Sequence, residues 1–188
     1  LRVPREIFVS KKSVNQSYID DNIDLTKNRF LLNPMVISRL IQSLEIKKNH
    51  TILIIGSNVG YSSIIISYLC NTVIGIESIK SFYELSTSIL LKLNVNNVAI
   101  IKRNIEYGFP DQQPYDNILI EGGVNFVPEI ILNQLTENGK LATVEIDENN
   151  IGKAILFKKQ KNNFSKRFLF DANVPLLEVF KNKYSFEL

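Results

Sequence analysis

Residues 51–69 read TILIIGSNVGYSSIIISYL, and residues 73–78 read VIGIES. An apolar run stops at Gly56, a short turn leads to Gly60, an apolar-periodic segment follows, and a second apolar run closes on Glu77. The pattern predicts a strand, a glycine turn, a helix, a strand and an acid. Nucleoside cofactor sites of α/β proteins are built in this way: N–H groups at a helix N-terminus face an anion, and the acid takes ribose hydroxyls. The middle of the turn, Ser57, Asn58 and Val59, is bulkier than such loops prefer.

Outward from this crossover the chain alternates. Strands are predicted at Thr51–Ile55, Thr72–Glu77, Val98–Lys102 and Asp116–Ile120, with helices at Tyr61–Leu69, Ile79–Leu93 and Pro128–Leu135. The first, second and fourth strand runs are nearly continuous in Ile, Leu and Val, as expected when helices cover both faces of a parallel sheet. Upstream, Pro34 suits the first turn of a helix, PMVISRLIQSLEI, with Met35, Val36, Leu40, Ile41 and Leu44 on its buried side. Residues 1–33 show little periodicity: VPREIFV reads as an extended lead-in, followed by a polar loop through Asp20, Asp21, Asp24 and Lys27. Downstream, Asn138-Gly139 is a turn signal and KLATVEI begins the next strand. From Gly152 the runs KAILFKK, KRFLFDA and PLLEVF read as an antiparallel extension of the same sheet. The fold class is therefore α/β, Rossmann-like, in one domain over residues 1–188.

With 188 residues, 45% hydrophobic content and a mean hydropathy of +0.01, the composition is that of a globular domain. Such a chain buries roughly 70% of its unfolded surface. No apolar run reaches the ~18–20 residues of a bilayer span, and none resembles a signal peptide. The lone Cys70 excludes an internal disulfide, and with the lone His50 it cannot build an N/S metal site. Both favour a cytoplasmic location. The net charge of +3 is dispersed, and Lys158, Lys159 and Lys161 read as a solvated loop rather than a nucleic-acid patch. The chain opens at Leu1 without Met, which leaves room for residues upstream.

A dinucleotide site needs G-x-G-x-x-G, but the second and third glycine positions here hold Asn58 and Tyr61. That argues against a nicotinamide-dependent oxidoreductase. S-adenosylmethionine asks less of the turn, because it carries one carboxylate and no pyrophosphate, and it still requires the acid supplied by Glu77. Asn104, after the third strand, sits where an adenine-reading side chain is expected, and PYDNILIEGG brings Glu121 and Gly122 to the same sheet edge. An ordinary crossover with an unrelated surface Glu stays open on these residues alone.

The chain resembles the protein-L-isoaspartate O-methyltransferases from VPREIFV through NPMVISRLIQSL, GSNVGYSS and GIES to PYDNILIEGG and QLTENGKL, over roughly residues 3 to 145. Its tail, FLFDANVPLL, resembles a divergent branch of the family found in alphaproteobacteria. The resemblance implies the S-adenosylmethionine-dependent methyltransferase fold, a mostly parallel seven-stranded sheet with an antiparallel C-terminal part. It divides the domain into an N-terminal substrate-side segment (1–33), a cofactor-binding core (34–147) and a C-terminal extension (148–188). It implies S-adenosylmethionine as cofactor, held by Gly56, Ser57, Asn58, Gly60, Tyr61, Glu77, Ser78, Asn104, Ile105, Glu121 and Gly122. The implied substrate is an isoaspartyl-containing peptide or protein, whose α-carboxylate is methylated so that the ester cyclises and reopens partly as normal aspartate.

The sequence also departs from the family. Leu32 occupies the family's active-site hydroxyl position, Ile54 replaces the acid of the first strand motif, and Asn104 followed by Ile105 replaces an acid followed by glycine. Glu121 sets a negative charge where an anionic substrate is expected. Three readings follow: an isoaspartyl methyltransferase, a methyltransferase with another substrate, and a non-catalytic binding module on the same fold. Oligomeric state is not legible.

Overall fold

In the computed structural model, residues 2–26, 28–161 and 163–181 are described, so Leu1 and Lys27 of the sequence reading lie outside them. The N-terminal segment forms two 3₁₀ turns, Arg5–Phe8 and Lys11–Gln16, then an antiparallel pair, β1 (Ile23–Thr26) and β2 (Arg29–Leu31). There follow α1 (Pro34–Ser43), β3 (Thr51–Ile55), α2 (Tyr61–Ser67), β4 (Thr72–Glu77), α3 (Lys80–Lys92) and β5 (Val98–Lys102). The chain continues through β6 (Tyr115–Val124), α4 (Glu129–Leu132), β7 (Leu135–Ile146), β8 (Gly152–Gln160) and β9 (Asn163–Asp171).

Among the described residues seven strands make one sheet in the order β5-β4-β3-β6-β7-β8-β9. Pairing is parallel from β5 across to β7 and antiparallel for β7–β8 and β8–β9. Successive strands β3, β4 and β5 step in one direction, and β6 returns to the other side of β3. This reversal is the topological switch point, where ligand crevices of open α/β sheets form. Ile52–Ile55 of β3 and Ile118–Ile120 of β6 are fully buried, consistent with helices on both faces. Asn33 caps α1 by accepting hydrogen bonds from the Met35 and Val36 amides, with Pro34 behind it. Such a cap contributes about 1 kcal/mol.

Several expectations are corrected. VPREIFV is not extended; Arg5 is buried and donates to the carbonyls of Ser17 (2.7 Å) and Leu32 (2.6 Å), coiling the segment against the domain. The polar loop after it contains the β1–β2 pair. Met35 is 53% exposed, because Val36, Ile37, Leu40 and Ile41 define the buried stripe and Met35 lies with Arg39 on the opposite side. The helix predicted to reach Leu135 stops at Leu132, since Leu135 pairs with Tyr115 at the start of β7. Asn138-Gly139 falls within the β7 span, at an irregularity in the register with β6. Lys158 and Lys159 belong to β8 rather than a loop, and Lys159 donates to the carbonyls of Asn133 and Leu135. PLLEVF adds no antiparallel strand: Leu176 makes one parallel bridge to Gly123, and Glu178–Phe180 is a 3₁₀ turn. No helix among the described residues is long and apolar enough to cross a membrane.

Candidate cofactor cleft

The turn after β3 is held from below. The amides of Gly56 and Ser57 both donate to the Ile76 carbonyl of β4, and the Gly60 amide donates to the Ser57 carbonyl at 2.9 Å. Gly56, Asn58 and Gly60 all have positive φ (72°, 51° and 87°). Glycine adopts this region freely, and asparagine more readily than other side chains. Ser57 and Val59 are buried, and Gly75 of β4 makes the room: a Cβ there would lie 3.0 Å from the Ser57 side chain. The bulky turn is thus accommodated by a glycine in the neighbouring strand.

Glu77 ends β4 with no exposed surface, and its carboxylate is fully engaged. Oε1 accepts from Arg29 Nη1 (3.0 Å) and the Ile79 amide (2.9 Å); Oε2 accepts from Arg29 Nη2 (2.5 Å) and the Asn58 amide (2.9 Å). Arg29, in β2, is 8% exposed and forms a bidentate fork with this acid across 48 positions of sequence. Its Nε donates to Asn58 Oδ1 at 3.0 Å, and its guanidinium lies 5.6 Å from the centroid of the Phe82 ring. Asn58 therefore has two functions, adopting the left-handed conformation and holding Arg29.

Glu121 lies in β6 across the same cleft, 2% exposed, and accepts a hydrogen bond from the buried Ser62 hydroxyl of α2. Burial pushes its carboxyl up to about 7, against the opposing effects of hydrogen bonds from Ser62 and Asn58 and the charge of Arg29. The folded state therefore holds this proton more tightly than the unfolded chain. Stability from this group is fully present below the ordinary carboxylate pKa and is lost as pH rises through about 7. A shift of this size corresponds to roughly 3 kcal/mol. Glu121→Gln is expected to remove that pH dependence, leaving the variant more stable than the parent above pH 7 in denaturant titrations. A parent stability that rises between pH 5 and 8, with no difference in slope for the variant, would contradict the assignment.

The structure brings Gly56, Asn58, Glu77, Ile105, Glu121 and Gly122 around one cleft beside Arg29 and Leu177, whereas Ser57 packs against Gly75 of β4 and Gly60 faces Ser86 of α3. Ser78 and Asn104 are exposed, and the half-buried Tyr61 ring meets the buried Phe8 ring edge-on, under the buried Arg5 guanidinium. Leu32 and Ile54 belong to one apolar cluster with Val36, Ile37 and Val174. The two positions are parts of a single hydrophobic core. Arg29 and Ser62 were not picked out from sequence. The sequence signal for Arg29 is a cation directly before the apolar run Phe30–Leu32.

Three side chains approach the turn. A Cβ added at Gly56 would lie 3.6 Å from Arg29 Nη2, 3.6 Å from Leu177 Cδ1 and 3.7 Å from Ile105 Cδ1. A small cavity of about 10 Å³ lies among Arg29, Leu32, Asn58, Glu121 and Leu177.

Sheet order, glycine turn and the acid closing β4 together define the class: an α/β methyltransferase fold of the S-adenosylmethionine-dependent kind. The family model for protein-L-isoaspartate(D-aspartate) O-methyltransferase matches residues 1–176. The chain belongs to that family. It is 28% identical over 178 residues to the protein-L-isoaspartate O-methyltransferase of Vibrio vulnificus, covering 94% of this chain and 84% of the relative. Among solved structures, a protein-L-isoaspartate O-methyltransferase superposes with a TM-score of 0.83 at 23% identity, covering 93% of this chain and 58% of that one. This chain thus spans under two thirds of that structure. A Plasmodium falciparum protein assigned as a β-aspartate methyltransferase of this kind, in complex with S-adenosyl-L-homocysteine, gives a TM-score of 0.74 at 24% identity, over 94% of this chain and 86% of that one. These two likenesses show the shared fold.

Proposed function

We propose that this chain is a cytoplasmic S-adenosylmethionine-dependent carboxyl methyltransferase acting on isoaspartyl-containing peptides or proteins. Residues 1–33 form its substrate side. The observation that carries the reading is the Glu77 carboxylate, which meets the Asn58 amide of the glycine turn at the carboxyl edge of the sheet. That is the position from which an acid takes ribose hydroxyls in α/β folds. The methyl donor supplies an electrophilic methyl on a good leaving group, and a substrate carboxylate is already a nucleophile. The protein's share is therefore positioning and exclusion of water. Gly56, Asn58 and Glu77 are the residues that would hold the donor.

A second reading, a non-catalytic member of the family, is favoured by one specific observation: Leu32 and Ile54 share an apolar cluster where the family has polar groups. Methyl transfer from radiolabelled S-adenosylmethionine to an isoaspartyl peptide separates the two. Turnover that is absent for the same peptide with normal aspartate supports the first. Absence of transfer at millimolar donor, with the protein folded, supports the second.

A further inference from the structure

We infer that Arg29 is an internal stopper of the cofactor cleft, seated on Glu77 in the place of a nucleoside's ribose diol. This inference rests on the proposed cofactor reading. Glu77 has four acceptor positions for strong hydrogen bonds, and all four are taken: two by the Arg29 fork and two by the amides of Asn58 and Ile79. A ribose diol must donate to the same oxygens. The two backbone donors belong to the turn and to the start of α3, so the guanidinium alone can leave without unfolding the site. It is delivered by the short β1–β2 pair, outside the seven-stranded sheet.

The stopper is latched from two sides. Asn58 accepts from Arg29 Nε, and its Nδ2 donates to the Phe30 carbonyl at 3.4 Å, so one side chain of the turn grips two consecutive residues of β2. From the tail, the Leu177 side chain stands over both Gly56 and Gly122, and its amide donates to the Gly123 carbonyl at 2.8 Å. Opening the cleft therefore means moving the Arg29 side chain off Glu77 and the Leu177 side chain off the glycines. A closed state of this kind reduces apparent affinity by the fraction of molecules that are open.

Isothermal titration with S-adenosylhomocysteine tests this directly, on the full chain and on Arg29→Ala and Leu177→Ala. Thermal unfolding of each variant confirms that it is folded. Arg29→Ala is expected to bind at least tenfold more tightly than the parent, because the diol then meets a free carboxylate. Leu177→Ala, which leaves no buried charge unpaired, is expected to tighten binding as well, and Arg29→Met, which keeps the bulk of the side chain without its charge, takes the place of Arg29→Ala with the same expected result if the latter does not fold. Parent affinity within twofold of Arg29→Ala overturns the stopper and leaves the cofactor reading standing. Tightening by Leu177→Ala alone, with folded Arg29→Ala unchanged, assigns closure to the tail and overturns the role of Arg29. No binding by any of the three at millimolar ligand overturns the cofactor reading, and the stopper with it.

Discussion

Glu77→Leu is expected to lower the free energy of unfolding by about 3–5 kcal/mol, measured by urea denaturation at neutral pH. The substitution leaves the Arg29 guanidinium buried with Asn58 Oδ1 as its remaining acceptor among the described residues, and strands the amides of Asn58 and Ile79. Arg29→Met is expected to cost less, about 1–3 kcal/mol, because the remaining carboxylate keeps both backbone donors and water can enter the vacated cleft. The double variant Arg29→Met with Glu77→Leu removes both charges, and its loss should fall well short of the two single losses added together. Equal costs for the two single variants, or strict additivity, would show that the fork is not the buried, amide-anchored unit described.

The second large effect comes from placing an acid inside β3. Ile54 has no exposed surface and belongs to the apolar cluster of Leu32, Ile37, Leu40 and Val174. Ile54→Glu places a carboxylate there with no partner among the described neighbours, at a cost of at least about 4 kcal/mol at pH 7. Burial raises the folded-state pKa of such a group, so the loss should shrink as pH falls and the carboxyl is protonated. Ile54→Met, which conserves volume and polarity, should cost under about 1.5 kcal/mol. Thermal or denaturant unfolding of both across pH distinguishes a charge effect from a packing effect. If Ile54→Glu is tolerated at neutral pH while Ile54→Met is not, the site is not apolar in the way the cluster implies.

Leu32 and Ile54 pack together, and Val174 from the tail joins them. On the cleft side, Ile105 and Leu177 belong to a second cluster that closes over Gly56. A polar group introduced at Leu32 or Ile54 meets an apolar environment built by several other residues, so the two positions act as a unit.

What the sequence determined by itself follows from local periodicity. The strands Thr51–Ile55, Thr72–Glu77 and Val98–Lys102 form with the predicted bounds: in the first two, continuous apolar runs between turn signals leave few alternatives to a sheet covered on both faces, and the third is a half-buried edge strand. Gly56, Gly60 and Glu77 identified the turn and its acid for the same reason: the spacing of strand, turn and helix is local. The reading failed where structure depends on distant partners. The β1–β2 pair, the coiled lead-in around Arg5 and the closing tail around Leu177 carry no period, since each is fixed by contacts from elsewhere in the chain. Asn58, a misfit within its turn, makes sense only once Arg29 is seen bound to it. Sequence placed a carboxylate at the cofactor edge. Only the tertiary structure decided what that carboxylate holds, because Arg29 reaches Glu77 across 48 positions that no local pattern connects.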